Sequence, residues 1–177
     1  MKKFTLLFSL FVTFLASSQV KWMTLEQAIE AQKTVPKKIL VNFYTDSCDP
    51  CQTMEKNTYN QQIISAYLND NYYPVKFNAQ ESGNITVFGR TFINSDLAEG
   101  KKSNAMHDFT KYMNVSAVPS AVFLDDIGNP ITILQGALNP KELEPYIPFI
   151  ATNEYKKINT REGWETYQKK FKSSIKD

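Results

Sequence analysis

The sequence predicts an α/β fold: a central mixed sheet with helices packed on both faces. Three observations predict it. Two apolar runs, residues 38–44 and 72–78, are separated by stretches with helical spacing. Two shorter runs, 120–124 and 131–134, flank Asp125-Asp126-Ile127-Gly128-Asn129, a turn signal that makes them a terminal strand pair. Amphipathic segments precede, separate and follow the strands.

Residues 24–34 read as a helix. Thr24 and Gln27 have capping-box spacing, Leu25, Ala28 and Ile29 form an apolar face, and Pro36 ends it. Residues 38–44 are apolar on both faces, as in a central strand, and 72–78 read as a second central strand. A helix from Asp49 to about Lys56 is expected to break over 57–59. A further helix over 61–69 carries Ile63, Ile64, Tyr67 and Leu68 on one side.

Residues 85–93 predict a hairpin turning at Gly89-Arg90, with loop over 95–104 and a short helix over 105–113. The alternating Val87, Phe88 and Phe92 are expected to cover a core edge rather than to dock a partner. Asn139-Pro140 starts a helix that Pro145 and Pro148 limit or kink. The last helix, 161–173, carries a stripe of Trp164, Tyr167 and Phe171 that is expected to dock on the core.

The N-terminus reads as a targeting segment. Lys2 and Lys3 precede an uncharged apolar stretch over 4–16, and Ala16 and Ser18 have the small side chains at a signal-peptidase site. Residues 1–18 are therefore expected to be a secretory signal; an uncleaved anchor is the lesser alternative, because the stretch is short for a membrane span. Lys+Arg then falls from 20 to 18, against 18 Asp+Glu. The neutral remainder argues against a nucleic-acid surface. At 177 residues, with 42% hydrophobic and 21% charged residues, the chain suits one globular domain.

Both cysteines of the chain lie in Cys48-Asp49-Pro50-Cys51, directly after the first strand. A C-x-x-C between a buried strand and a helix is the setting of a redox dithiol. Unpaired N–H groups at the helix start favour a thiolate there, and Pro50 fits an early helical position. Cys48, at the helix end, is the expected attacking sulfur, and Cys51, one turn in, the resolving one. A purely structural staple is disfavoured, because closing so short a loop constrains the unfolded chain little.

With two further motifs, the chain resembles the thioredoxin-fold family from about residue 24 to 150. Leu40-Val41-Asn42-Phe43-Tyr44 leads to the cysteines. Val118-Pro119-Ser120 precedes the strand Ala121-Val122-Phe123-Leu124, and Gly136-Ala137-Leu138 enters the last family helix. The nearer likeness is to exported bacterial thioredoxin-like proteins with an insert and an extra C-terminal helix. It implies a signal at 1–18, a thioredoxin-like domain at 19–152 with an insert at about 81–104, and a helical extension at 153–177. It also implies that Pro119 is cis and faces the redox pair, and that the backbone of Val118 pairs with an extended substrate segment.

The chain departs from the family at several positions. Asn42 stands where thioredoxins carry a buried aspartate, and an amide cannot take the resolving thiol's proton, so deprotonation of Cys51 is expected to be slow. Lys76 matches the lysine beside that aspartate, but reads equally as a strand-end lysine with its head in solvent. Ser47 replaces the usual tryptophan, which removes an apolar contact from the substrate face. Asp49 disfavours a second negative charge at Cys48 and so raises its thiol pKa. The disulfide is then relatively favoured and the couple more reducing; Pro50 also matches the reducing branch.

Other chemistries find little support. His107 is the single histidine, and two cysteines with one histidine make no strong zinc set. No Gly-rich phosphate loop or G-x-S-x-G motif is present. No metal, flavin or nicotinamide cofactor is required. The expected function is reduction of exported protein disulfides through Cys48 and Cys51, by a periplasmic monomer recharged by a membrane or periplasmic thiol reductant. The rivals are a binding or chaperone-like module with an oxidised C-x-x-C, and net oxidation or isomerisation.

Overall fold

The computed structural model describes residues 19–101 and 104–176. The expected signal, 1–18, lies outside them. Among the described residues no helix is long and apolar enough to cross a membrane.

In chain order the elements are α1 (Leu25–Thr34), β1 (Lys38–Tyr44), α2 (Asp49–Met54), α3 (Gln62–Asn71), β2 (Tyr72–Asn78), β3 (Ile85–Val87), β4 (Arg90–Phe92), α4 (Ser95–Ala98), α5 (Asp108–Tyr112), β5 (Ser120–Leu124), β6 (Pro130–Gln135), α6 (Pro140–Leu143), α7 (Tyr146–Ala151) and α8 (Arg161–Lys170). The main sheet has the order β2-β1-β5-β6. β1 runs parallel to β2 and antiparallel to β5, and β5 is antiparallel to β6. The predicted mixed α/β sheet flanked by helices is the one observed.

Alternation along β1 divides the core in two. Ile39, Val41 and Phe43 face α1, the β3–β4 hairpin and α5. Leu40 faces α3, α6, α7 and the helix that follows the cysteines. Both faces are therefore buried, as the apolar run requires. Thr24 caps α1 in a full capping box with Gln27, and Asn139 with Glu142 forms a second one at α6.

Several expectations need correction. β2 is an edge strand, backed only by an isolated bridge from Met23 to Val75; Pro74, which lacks an N–H to donate, was the cue. The helix after the cysteines does not break at 57–59. It widens into a π-helical turn, Glu55–Tyr59, that keeps Thr58 and Tyr59 buried. The hairpin turns at Phe88-Gly89, both with positive φ (54° and 71°), the geometry of a two-residue turn that follows strand twist. Residues 95–98 form a helical turn capped by Asn94, where loop was expected. The helix expected over 105–113 is confined to Asp108–Tyr112, with His107 as its cap.

The hairpin covers the core. Ile85, Val87 and Phe92 are buried, and Phe92 meets Phe109 edge-on with ring centroids 5.4 Å apart. Of the C-terminal stripe, Trp164 packs against Tyr146 and Phe149, and Tyr167 against Phe149. The helix ends at Lys170 rather than 173, and Phe171, just past it, meets the Tyr167 ring instead of the core.

Candidate active site

β1 delivers the chain to the cysteines. After Tyr44, a short turn over residues 45–47 leads to Cys48, whose N–H bonds to the carbonyl of Thr45. Asn78 Nδ2 donates to Asp46 Oδ2 (3.2 Å) and so ties this turn to the end of β2. Cys48 is the N-cap of α2, and its Sγ accepts the N–H of Cys51 at 3.1 Å. The two sulfurs are joined in a disulfide, S–S 2.02 Å. Asp49 and Pro50, between them, are exposed on the first turn. Cys48 and Cys51 are about equally covered, at 8% and 6% exposure. The difference between them is therefore in position, with Cys48 at the helix end and Cys51 one turn in.

The Val118–Pro119 peptide is cis. Pro119 is buried and Val118 half-buried. Phe43 pairs with Ser120 across β1–β5, which puts Pro119 at the end of the sheet where β1 hands over to the cysteine turn. The Pro119 carbonyl accepts the N–H of Gly136, so the three motifs meet at one end of the sheet.

Behind Cys51 lies a cavity of about 320 Å³, lined by Asn42, Tyr44, Cys51, Glu55 and Lys76, with Asp46, Gln52 and Lys56 also on its wall. Asn42 is 3% exposed, and its Oδ1 has no hydrogen-bond partner. Lys76 is its register partner across β1–β2. The ammonium is neither beside a strand carboxylate nor free in solvent. Its Nζ is 3.4 Å from Glu55 Oε2 and 4.8 Å from the centre of the Tyr44 ring.

Sequence reasoning missed Glu55. It sits one turn after Cys51, and its N–H bonds to the Cys51 carbonyl. That spacing of four residues puts both side chains on one helix face and was the available signal. Its Oε1 accepts the indole N–H of Trp22 at 2.7 Å. Trp22 in turn packs edge-on against Tyr59, with centroids 5.0 Å apart. Burial, with Glu55 as a second cause, holds the Tyr59 phenol far above its usual range, so it stays neutral. The Tyr44 phenol is also raised, first by burial and then by Asp46, Glu81 and Glu55.

His107 does not belong to the site. It is fully buried on the opposite face of the sheet, with Nε2 3.1 Å from the Gly83 carbonyl. Among the described residues no group of three or more His, Cys, Asp or Glu is placed to hold a metal.

A disulfide-forming C-x-x-C at the head of a helix, fed by a buried strand, is the equipment of the thiol–disulfide oxidoreductase class. The family model for the thioredoxin-like domain matches residues 25–151, and the chain belongs to that family. No curated protein matches the sequence. Among solved structures, the chain is similar to a thioredoxin-fold protein from Helicobacter pylori, at 18% identity and a TM-score of 0.59 over 76% of this chain and 81% of that one. It is also similar to a thioredoxin from Thermus thermophilus (14% identity, TM-score 0.56, 76% and 89% covered). A third is the DsbH oxidoreductase (17% identity, TM-score 0.52, 77% and 85% covered). At these identities the likeness is one of fold.

Proposed function

We propose that the protein is an exported thiol–disulfide oxidoreductase that reduces disulfides of other exported proteins. The observation that carries this reading is the Cys48–Cys51 disulfide at the head of α2, at the sheet end that also holds cis-Pro119. The family membership supports the chemistry, and residues 1–18, read as a signal, support export to the periplasm.

The reduced Cys48 thiolate attacks one sulfur of a substrate disulfide. A Cys48–substrate mixed disulfide forms, and the other substrate sulfur leaves as a thiolate that takes a proton from water. Cys51 loses its proton and attacks Cys48 Sγ. The second substrate sulfur leaves, the Cys48–Cys51 disulfide forms, and two electrons have passed to the substrate. An extended substrate segment lies along the backbone of Val118 and Pro119 during this exchange. A membrane or periplasmic thiol reductant returns the pair to the dithiol. Asp49 and Pro50 poise the couple toward reduction. Residues 19–152 form the working domain, and 153–177 an extension that braces it.

Turnover of a protein disulfide, with a small dithiol as the recycling reductant, tests the reading. Wild type is expected to accelerate reduction and Cys48→Ser to abolish the acceleration. Equal rates for the two would refute it.

A further inference from the structure

We propose that Glu55 accepts the proton of Cys51 in the resolving step, and that Trp22 positions its carboxylate for the task. The proposal rests on the reductase reading of the Cys48–Cys51 pair. It starts from the absence of any carboxylate on β1 at Asn42, a side chain that cannot take a proton from a thiol.

Two side chains that line the cavity behind Cys51 each carry a buried oxygen without a hydrogen-bond donor: Asn42 Oδ1 and Glu55 Oε2. A buried acceptor left unpaired costs on the order of 1–3 kcal/mol, so two around one cavity call for an explanation. Lys76 does not supply it, since its Nζ stands 3.4 Å from Oε2 as an ion pair without hydrogen-bond alignment. The disulfide itself has no hydrogen to donate. Reduction changes that, because the pair takes up two protons and Cys51 gains an S–H on the wall of the same cavity. Both acceptors then have a donor in their neighbourhood, and one of them is a carboxylate.

The position of that carboxylate is held from two sides. Its backbone N–H bonds to the Cys51 carbonyl, one turn back, which puts the two side chains on one face, about 5–6 Å apart at Cβ. Its Oε1 is held by the Trp22 indole at 2.7 Å, which leaves Oε2 on the side of Lys76, in a residue that lines the cavity. At about 320 Å³ the space has room for water to carry the proton where the two groups do not touch. Trp22 is itself anchored, because Met23, next to it, bridges to β2 through its N–H to the Pro74 carbonyl.

In the step, the Cys51 S–H bond breaks and its proton goes to Glu55. The sulfur's electron pair attacks Cys48 Sγ, and the substrate thiolate leaves. Glu55 then releases the proton to solvent, so the net reaction is unchanged. The charged and titratable groups facing Glu55 are Lys76 from β2, Tyr44 from β1, Asp46 from the cysteine turn, and Lys56 and Tyr59 from its own helix. Tyr44 and Tyr59 are held above their usual range and do not compete for the proton near neutrality.

The test uses the full mature chain, reduced, and an aromatic disulfide whose thiolate product is coloured. Attack by Cys48 releases a first equivalent and resolution by Cys51 a second. For Glu55→Gln we expect an unchanged first phase and a second slowed roughly a hundredfold at neutral pH, with its rate now rising along the titration of an unassisted thiol, near 8.5. Trp22→Phe, which keeps the ring and loses the N–H, is expected to shift the same profile part of the way. Asn42→Asp added to Glu55→Gln is expected to restore the second phase. A second phase in Glu55→Gln that matches wild type, or one slowed equally at every pH, overturns the proposal. Loss of the first phase in wild type would instead overturn the reductase reading itself.

Discussion

Asn42 and Lys76 face each other across the parallel β1–β2 pair, and the lysine leans away from its partner toward Glu55. The carboxylate that Lys76 meets therefore stands on the helix that carries Cys51, not on the neighbouring strand. Lys76 is about a third exposed and its contact with Glu55 is 3.4 Å, so the pair stabilises the fold by no more than about 1 kcal/mol. Lys76→Gln is expected to move the urea midpoint correspondingly little. A loss of several kcal/mol would show that the ammonium is part of the core.

Asp49 is exposed beside Cys48, so its effect on the thiol is electrostatic and screened by salt. Asp49→Asn is expected to lower the Cys48 pKa by less than about one unit. The couple then becomes more oxidising, by up to roughly 30 mV. Alkylation rate against pH, with equilibration against glutathione, measures both. A shift in the reducing direction would reverse the assigned sign.

How much of this was legible in the sequence differs from place to place. β1, β2 and β5 match the apolar runs 38–44, 72–78 and 120–124 residue for residue, because each is a run that only a sheet with two covered faces can bury. The position of β2 at the edge was visible only in Pro74. An irregularity at 57–59 was legible, but its form, a π-helical turn over Glu55–Tyr59 that keeps Tyr59 in the core, was not. The cysteine pair was plain from its spacing. Glu55 was missed because its meaning comes from Trp22, 33 residues earlier, and from β2 arriving beside it.

His107 gives the fold a pH dependence of its own. Burial pushes the imidazole below its ordinary 6.5, and Lys111 acts the same way. The Gly83 carbonyl and the Asp108 and Glu81 carboxylates oppose the shift. Its Nδ1 accepts the N–H of Phe109, so the neutral ring carries its hydrogen on Nε2, toward Gly83. A depressed folded pKa means that the unfolded chain binds the proton more readily. The stabilisation is present above pH 6.5 and is lost as pH falls through the folded value. Tm is expected to fall as pH drops from about 6.5 to 5, and His107→Asn, whose Oδ1 replaces the ring Nδ1 as the helix-capping acceptor, is expected to flatten that slope. Asp96, whose carboxyl Lys101, the Met106 N–H and Lys111 hold well below its ordinary 3.8, acts only at more acid pH. A slope that survives His107→Asn would assign it elsewhere.

Phe109 ties the hairpin to the sheet. It is fully buried among Phe43, Phe77 and Phe92, with centroids 5.1–5.8 Å away. Phe109→Ala leaves a cavity that three rings fixed on strands cannot close, and is expected to cost about 3–5 kcal/mol. Denaturant unfolding measures the loss, and hydrogen exchange is expected to rise first in β3 and β4. A cost under about 1 kcal/mol would mean that the hairpin packs independently of the ring.

The C-terminal helix makes a separate case, because it braces the face that carries the cysteine helix without touching the sulfurs. Trp164 lies 4.4 Å from Tyr146 and 4.9 Å from Phe149, centroid to centroid, and stacks on Tyr167. Beyond α8 the chain returns to α6–α7, where the Ser174 N–H donates to the buried Glu144 at 2.8 Å. Trp164 is only half-buried, so Trp164→Ala is expected to cost about 1–3 kcal/mol, less than a full core truncation. The effect on chemistry follows from the route. α7 supports β5 and α3 through Ile147 and Phe149, whereas Cys48 hangs from β1 on the turn over residues 45–47. Loss of Trp164 is therefore expected to lower Tm while the reaction of reduced Cys48 with a small aromatic disulfide keeps its rate at temperatures below unfolding. A fall in that rate with the fold intact would show that the extension reaches the redox pair.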